Sequence, residues 1–228
     1  MQRRKIMSVA LATLGLGAWG RASAAGLSET DAASGIRVAL ERGATAAVGL
    51  LGKTDGFLGN PKVRIPLPSF LNDAAKLLRA TGQQKRIDAL ETAMNRAAEA
   101  AVPEAKALLV SAVKGMSVED AKQVITGGDD SVTKFFADKT RDPLGVKFLP
   151  IVTKATEKVS LADKYNSVAS RASKLGLIKQ QDASIQAYVT EKALDGLYLM
   201  IGEEEKKIRA NPMATGSAIL RKVFGSLK

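Results

Sequence analysis

The stretch Gln83–Ala101, QQKRIDALETAMNRAAEAA, decides the fold class of this chain. Its apolar residues recur mostly at steps of three and four, which places them on one face of an α-helix. They are Ile87, Leu90, Met94, Ala97, Ala98 and Ala101. Because the stripe ends in alanines, a neighbouring helix can approach it closely. The stretch therefore predicts an amphipathic helix that packs tightly inside a helical protein.

The same periodicity extends over most of the chain, and alternating β-branched runs are almost absent. We predict an all-α fold: one bundle of about seven to nine helices with one long ordered loop. Beside the helix from Gln83, the principal segments are residues 28–53, 69–80, 108–113, 117–127, 164–175, 182–209 and 213–224, with a further helix that Asp129 or Asp130 caps. Gly115 predicts the end of the segment over 108–113, and Ser117-Val118-Glu119-Asp120 resembles a capping box with Asp in place of the usual Glu. The prolines at 143 and 150 predict turns or kinks, and Pro103 predicts a kink or a new start.

The long loop is predicted over Thr54–Pro68. Asp55-Gly56, Gly59-Asn60-Pro61 and two further prolines exclude a helix interior there, and Val63-Arg64-Ile65 favours an extended piece. Its apolar tips and its two cations suit docking on a partner or on a lipid interface. The alternative interpretation is a loop that folds over the core.

The N-terminal 24 residues have the pattern of an export signal. Arg3-Arg4-Lys5 precedes the apolar stretch Ile6–Trp19, and Ala22-Ser23-Ala24 forms a cleavage box. The twin arginines leave both the Sec and the twin-arginine routes open. The apolar stretch is shorter than the roughly 20 residues that span a bilayer as a helix. We predict a signal peptide over 1–24, a single helical domain over 25–228 with no transmembrane segment, and a periplasmic or secreted location.

The chain is basic, with 34 Lys and Arg against 23 Asp and Glu. In the envelope, this surplus favours an anionic component, such as lipid headgroups or an acidic partner protein. Nucleic acid is not predicted, because single-strand grooves use stacking aromatics and the chain has only six Phe and three Tyr beside Trp19. Charge that serves only solubility is the alternative.

Composition excludes most catalytic chemistry. The chain contains no His and no Cys, so Ser-His triads, cysteine nucleophiles, the usual zinc sites and iron–sulfur clusters are ruled out. The fragment Gly49–Thr54 ends in Gly-Lys-Thr, but it lacks the first glycine of a phosphate loop and follows a helix instead of a strand. We predict no metal, no cofactor and no enzymatic activity.

Two groups of carboxylates are candidates for a site. In the run from Glu203 to Arg209, Glu203–Lys207 and Glu205–Arg209 have the spacing of helical ion pairs, while Glu204 lies on another face. Asn95, Arg96 and Glu99 form a polar patch beside the alanine stripe, which is either a structural network or the rim of a site. A glycan hydrolase that uses Glu99 or Glu204 as its acid is one alternative function.

Three blocks of sequence resemble an exported bacterial family catalogued as domain of unknown function four-one-nine-seven. They are Leu51–Pro68, Met94–Glu99, and Asp195–Pro212 followed by Lys222-Val223-Phe224-Gly225. The resemblance covers residues 27 to 225. It implies an exported helical domain, and no established activity, cofactor or catalytic residue comes with it.

We take the candidate site from residues in these blocks: Asp55, Asn60, Arg64, Asn95, Arg96, Glu99, Glu204 and Arg209. The sequence predicts a non-catalytic binding or scaffolding module with an unknown protein partner or an anionic envelope component. A carrier of a lipid or another apolar ligand is a further alternative, and it requires an enclosed pocket lined by Leu, Ile, Val and Phe.

Overall fold

The computed structural model describes residues 29–71, 75–76, 79–128, 131–157, 160–174, 176, 179, 183–215, 217–218 and 221. The predicted signal peptide lies outside the described residues. So do Asp129 and Asp130, the two candidate caps, and parts of the predicted helices over 69–80 and 213–224.

The all-α class is confirmed. The α-helices are α1 (Glu29–Leu51), α2 (Gln84–Ala101), α3 (Ala105–Lys114), α4 (Val118–Thr126), α5 (Ser131–Thr156), α6 (Ser160–Lys174) and α7 (Ile185–Ala210). Short 3₁₀ turns cover Ser69–Leu71, Val102–Glu104 and Pro212–Thr215. Against the expectation of about seven to nine helices, five long helices carry the described architecture, while α3 and α4 have only 10 and 9 residues. No strand occurs within the described ranges.

Helix α7 is the centre of the bundle. Between Tyr188 and Ile201 its side chains are buried except along one stripe, which consists of Glu191, Lys192, Asp195 and Leu199. It packs against α5, α1 and α2, while α3 and α4 pack on α1 and α5. One continuous hydrophobic core results, and its largest fully buried side chains include Tyr198, Phe57 and Phe136.

Local sequence signals explain several of the helix boundaries. The Ser117 hydroxyl accepts a hydrogen bond from the Asp120 amide, and the Asp120 carboxylate accepts one from the Ser117 amide, so the predicted capping box at the start of α4 is confirmed. Gly115 follows the end of α3 as predicted. Pro103 sits in a 3₁₀ turn, so the chain starts a new helix there instead of continuing α2 through a kink.

The sequence predicted turns or kinks at Pro143 and Pro150. Turns are wrong, because α5 runs through both prolines as one helix. Each proline removes one backbone N–H and frees the carbonyl four residues earlier. Both prolines are exposed, where water can bind such a carbonyl. The opposite side of α5 buries Leu144, Phe148 and Val152, and this packing outweighs the local preference for a break.

The close approach of the long loop to α7 generates a prediction. A methyl group on Gly196 would lie 2.9 Å from Cε1 of Phe57 and 3.2 Å from Cβ of Val63. We expect Gly196→Ala to lower the free energy of unfolding by about 1–3 kcal/mol, since neither neighbour can move without disturbing the core. At the control position, Gly49 in α1, a methyl group meets nothing within 4 Å. Gly49→Ala should stabilise by up to about 1 kcal/mol. Urea unfolding measures both, and shifts of the same sign would contradict the packing described.

Candidate functional site

The long loop, residues 52–68, occupies the groove between α2 and α7. Its apolar side chains point inward, with Phe57, Val63, Ile65 and Leu67 all buried. Between residues 62 and 67 buried and exposed residues alternate, so that the extended piece has an inner and an outer face. The interpretation as a loop folded over the core is therefore confirmed.

Asn95 holds the extended piece of the loop through its backbone. Its side-chain oxygen accepts a hydrogen bond from the Ile65 amide at 2.8 Å, and its side-chain nitrogen donates to the Ile65 carbonyl at 2.9 Å. The same nitrogen donates to the Glu91 carbonyl one helical turn earlier, at 2.8 Å. Asn95 is fully buried. Its side chain gives the backbone of Ile65 the two hydrogen bonds that a neighbouring strand would supply in a sheet.

Glu99 holds the first half of the loop. Its Oε1 accepts hydrogen bonds from the amides of Phe57 at 3.0 Å and Leu58 at 3.1 Å, and its Oε2 accepts one from Arg96 at 2.6 Å. Arg96 also donates to the carboxylate of Asp55 at 2.7 Å. These bonds to Glu99 and Asp55 raise the pKa of Arg96 above its ordinary value. Asp55 itself has φ of 65°, a left-handed conformation that Asp tolerates better than most residues.

The opposite edge of the loop is tied to α7. The Tyr188 hydroxyl donates to the Pro66 carbonyl at 3.1 Å, and the Asn60 side-chain nitrogen lies 4.0 Å from the sulfur of Met200. Lys62 pairs with Glu203 at 2.5 Å, which lowers the pKa of Glu203. The loop is thus fixed along both walls of its groove.

Six of the eight predicted site residues come together around this loop: Asp55, Asn60, Arg64, Asn95, Arg96 and Glu99. Arg64 joins them by pairing with Glu91 of α2 at 3.2 Å. The polar patch of Asn95, Arg96 and Glu99 is a structural network, which was one of the two interpretations of the sequence. Both oxygens of Glu99 have partners inside the protein, so neither is left to contact a substrate.

Glu204 and Arg209 do not join this group. Glu204 pairs with Lys207 at 2.6 Å. Arg209 pairs with Glu205, and this is the pair that the helical spacing predicted. The predicted Glu203–Lys207 pair is wrong, because Lys207 pairs with Glu204 and the ion-pair contacts of Glu203 are with Lys62 and Lys206.

Arg209 closes the end of a neighbouring helix. It donates to the Val124 carbonyl at 2.8 Å and to the Ile125 carbonyl at 3.5 Å, both in the last turn of α4. Helix carbonyls in this position have no partner within their own helix, so Arg209 acts as a cap supplied by another element.

Sequence reasoning missed a second cluster, centred on Arg141 of α5. Arg141 pairs with Glu191 at 2.5 Å and with Asp195 at 2.6 Å, and it lies 5.5 Å from the ring centre of Tyr198. The Tyr198 hydroxyl bonds with that of Thr140 at 2.9 Å. The signal was available, since two acids four residues apart repel each other unless a cation from another element joins them.

A cleft lined by charged side chains lies elsewhere, between α4 and α5. It has a volume of about 420 Å³, and its lining includes Asp120, Lys134, Asp138 and Lys139 as well as Val124 and Phe135. None of the predicted site residues lines it. Its mixed charge gives it no clear selectivity for one class of ligand.

The clamp on Ile65 generates a prediction. Asn95→Ala removes three hydrogen bonds and leaves the buried amide and carbonyl of Ile65 without them, so we expect a loss of about 2–4 kcal/mol in unfolding free energy. Hydrogen exchange at the Ile65 amide should accelerate more than that of amides in α1. Thr92→Ala, an exposed change on the same helix, is the control and should alter neither quantity. Unchanged protection at Ile65 would contradict the clamp.

Tyr198 generates a prediction about pH. Burial raises its pKa to about 12, against an ordinary value of 10.0, although Thr140 and Arg141 act in the other direction. Between these two pH values the unfolded chain releases the phenol proton while the folded chain keeps it, so stability falls with rising pH. Spectrophotometric titration should show a tyrosine ionisation with its midpoint near pH 12. Tyr198→Phe should abolish that step, whereas Tyr188→Phe should retain it.

Comparison with known proteins agrees with the resemblance of the three blocks. The family described as "Protein of unknown function (DUF4197)" matches residues 26–225. No curated protein and no solved structure gives a significant match. Because the match covers nearly the whole sequence, this chain belongs to the DUF4197 family.

Proposed function

We propose that this protein is an exported, non-catalytic binding module that recognises an acidic partner in the envelope through the outer face of the long loop. The observation that carries the proposal is the orientation of the ion pairs there. In the three pairs Lys62–Glu203, Arg64–Glu91 and Arg96–Glu99, the cation is the more exposed member. Lys62 exposes 60% of its side chain and Glu203 exposes 26%. The values are 50% for Arg64 and 19% for Glu91, and 37% for Arg96 and 5% for Glu99.

This arrangement turns positive charge toward solvent. The inner carboxylates hold each cation at a fixed position, yet a guanidinium has five N–H donors and an ammonium three, so outward donors remain for a second acceptor. Asp55, with 60% of its side chain exposed, is the acidic exception beside Arg96. An incoming carboxylate would thus meet side chains that are already ordered, which reduces the entropy lost on binding.

A rigid loop of this length also supports a recognition role. Loops longer than roughly 12–15 residues without secondary structure are uncommon in compact domains and are often functional. Here the buried residues fix the backbone, while Lys62, Arg64 and Pro66 face outward. The segment does not suit strand addition, because Asn95 and Tyr188 already occupy backbone groups on its two edges.

The alternative functions have less support. A glycan hydrolase needs two available carboxyl groups in one cleft, whereas Glu99 has no free oxygen and Glu204 pairs with Lys207. A lipid carrier needs an apolar chamber, whereas the space between α1, α2, α5 and α7 is filled by the protein's own side chains. None of the helices in the described residues is long and apolar enough to cross a membrane.

The test is an NMR titration of the full-length protein, expressed with its own N-terminal segment so that the host processes it. The probes are hexaglutamate and vesicles of phosphatidylglycerol. We expect hexaglutamate to shift amides between residues 55 and 66, with an affinity that falls as salt is added. Lys62→Gln and Arg64→Gln should each weaken binding about three- to tenfold, because each removes one charged contact.

Lys106→Gln is the matched control, since Lys106 is exposed on α3 and makes no ion pair with a described residue. Equal losses in all three variants would mean non-specific attraction to a basic protein and would overturn the proposed site. Shifts with vesicles alone would replace the acidic protein by a lipid surface. The mass of the processed protein tests export independently, with cleavage after Ala24 as the expected result.

A further inference from the structure

Three exposed cations lie in the turn that leads into α2. They are Arg79, Lys85 and Arg86, and no acidic residue stands between them in the sequence. Lys76, three residues before Arg79, is a fourth exposed cation. Every residue from 79 to 86 is exposed except Gln83, which is half-buried. Arg79, Lys85 and Arg86 define the basic turn.

The charge of the basic turn is not neutralised within the protein. Arg79 and Lys85 make no ion pair and no side-chain hydrogen bond in the part of the chain that the structure describes. Arg86 donates to the neutral side chain of Gln83, at 2.8 Å. The cations on the outer face of the long loop differ in this respect, because each of them pairs with an inner carboxylate.

The stability of α2 does not explain these charges. The helix has no acidic residue in its first turn, and Gln83 gives it no side-chain cap. Lys85 and Arg86 lie at the positive end of the helix dipole, where cations are unfavourable. Asp88, the first acid along α2, accepts a hydrogen bond from Gln84 at 2.5 Å. A local sequence that works against its own helix is expected at functional positions.

The shape of the turn suits a flat partner. Gly82 has φ of +77°, and a methyl group on it would meet nothing within 4 Å, so the space at the tip of the turn is open. The exposed side chains between the cations are small or polar: Ala80, Thr81 and Gln84. The core of a protein–protein interface is apolar and has aromatic anchors, which residues 79–86 lack.

We propose that the basic turn binds the surface of an anionic phospholipid membrane. Such a surface needs neither a pocket nor an anchor, because each Lys or Arg that comes near it adds to the attraction. The side chains of Arg79, Lys85 and Arg86 are not held by inner carboxylates, so they can follow the phosphate groups of a fluid surface. This contact goes beyond the acidic partner proposed above, which uses other cations.

Co-sedimentation of the full-length protein, processed by its host, with phosphatidylglycerol vesicles tests the proposal. We expect binding at about 20 mM salt and its loss at about 500 mM, because the Debye length falls from roughly 20 Å to roughly 4 Å. Arg79→Gln and Lys85→Gln should each weaken binding about three- to fivefold, and the triple variant with Arg86→Gln about 30-fold or more. Vesicles of phosphatidylcholine, which carry no net charge, should not bind.

Two control variants separate the basic turn from the total charge. Lys106→Gln removes one exposed cation beyond the far end of α2, a helix of 18 residues that is about 27 Å long, and should leave binding unchanged. Arg79→Lys keeps the charge and loses the planar guanidinium, so it should bind like the unmodified protein. All of these side chains are exposed, so every variant should keep the same circular dichroism spectrum.

Four outcomes would overturn the proposal. The first is no binding to phosphatidylglycerol at low salt. The second is an equal loss in Lys85→Gln and Lys106→Gln, which would mean attraction to total charge. The third is a loss confined to Lys62→Gln and Arg64→Gln, which would assign the lipid to the loop. The fourth is tight binding of hexaglutamate or inorganic phosphate at residues 79–86 that Arg79→Lys abolishes, which would mean a protein or a free anion.

Discussion

The hydrogen bonding of the long loop is the constraint on which the rest of this structure depends. A segment rich in proline and glycine cannot bury its backbone by becoming a helix, yet it must cover the central helix of the bundle. Helix α2 supplies the missing hydrogen-bond partners with two buried polar side chains. Asn95 accepts a hydrogen bond from the amide of Ile65, and Glu99 accepts hydrogen bonds from the amides of Phe57 and Leu58. The polar interruption of an otherwise apolar stripe is therefore part of the core.

The wall of the groove that α7 forms also depends on how closely the loop packs. Phe57 and Val63 pack against Gly196, where the missing side chain lets the loop approach α7 closely. Next to Gly196, Asp195 pairs with Arg141 of α5, and so does Glu191 one turn earlier on α7. The Arg141 guanidinium lies over the ring of Tyr198. Helix α7 can be buried on nearly all sides because the loop covers one side and other helices cover the rest.

The sequence predicts the elements better than the partners between them. Apolar periodicity, capping residues and Pro or Gly clusters are all local signals, so the helices, the capping box and the loop could be predicted from the sequence. Lys62–Glu203 spans 141 residues, and no local pattern specifies it, so the helical spacing wrongly favoured Lys207 as the partner of Glu203. The same limit explains Pro150, where the local preference for a break was overcome by core packing that only the folded chain reveals.

The absence of histidine determines how the charge of this protein depends on pH. Histidine is the only side chain whose ordinary pKa lies between about 5 and 8, so a chain without it keeps nearly constant charge over that range. Ion pairs such as Lys62–Glu203 should therefore respond to ionic strength more than to pH between about 5 and 8.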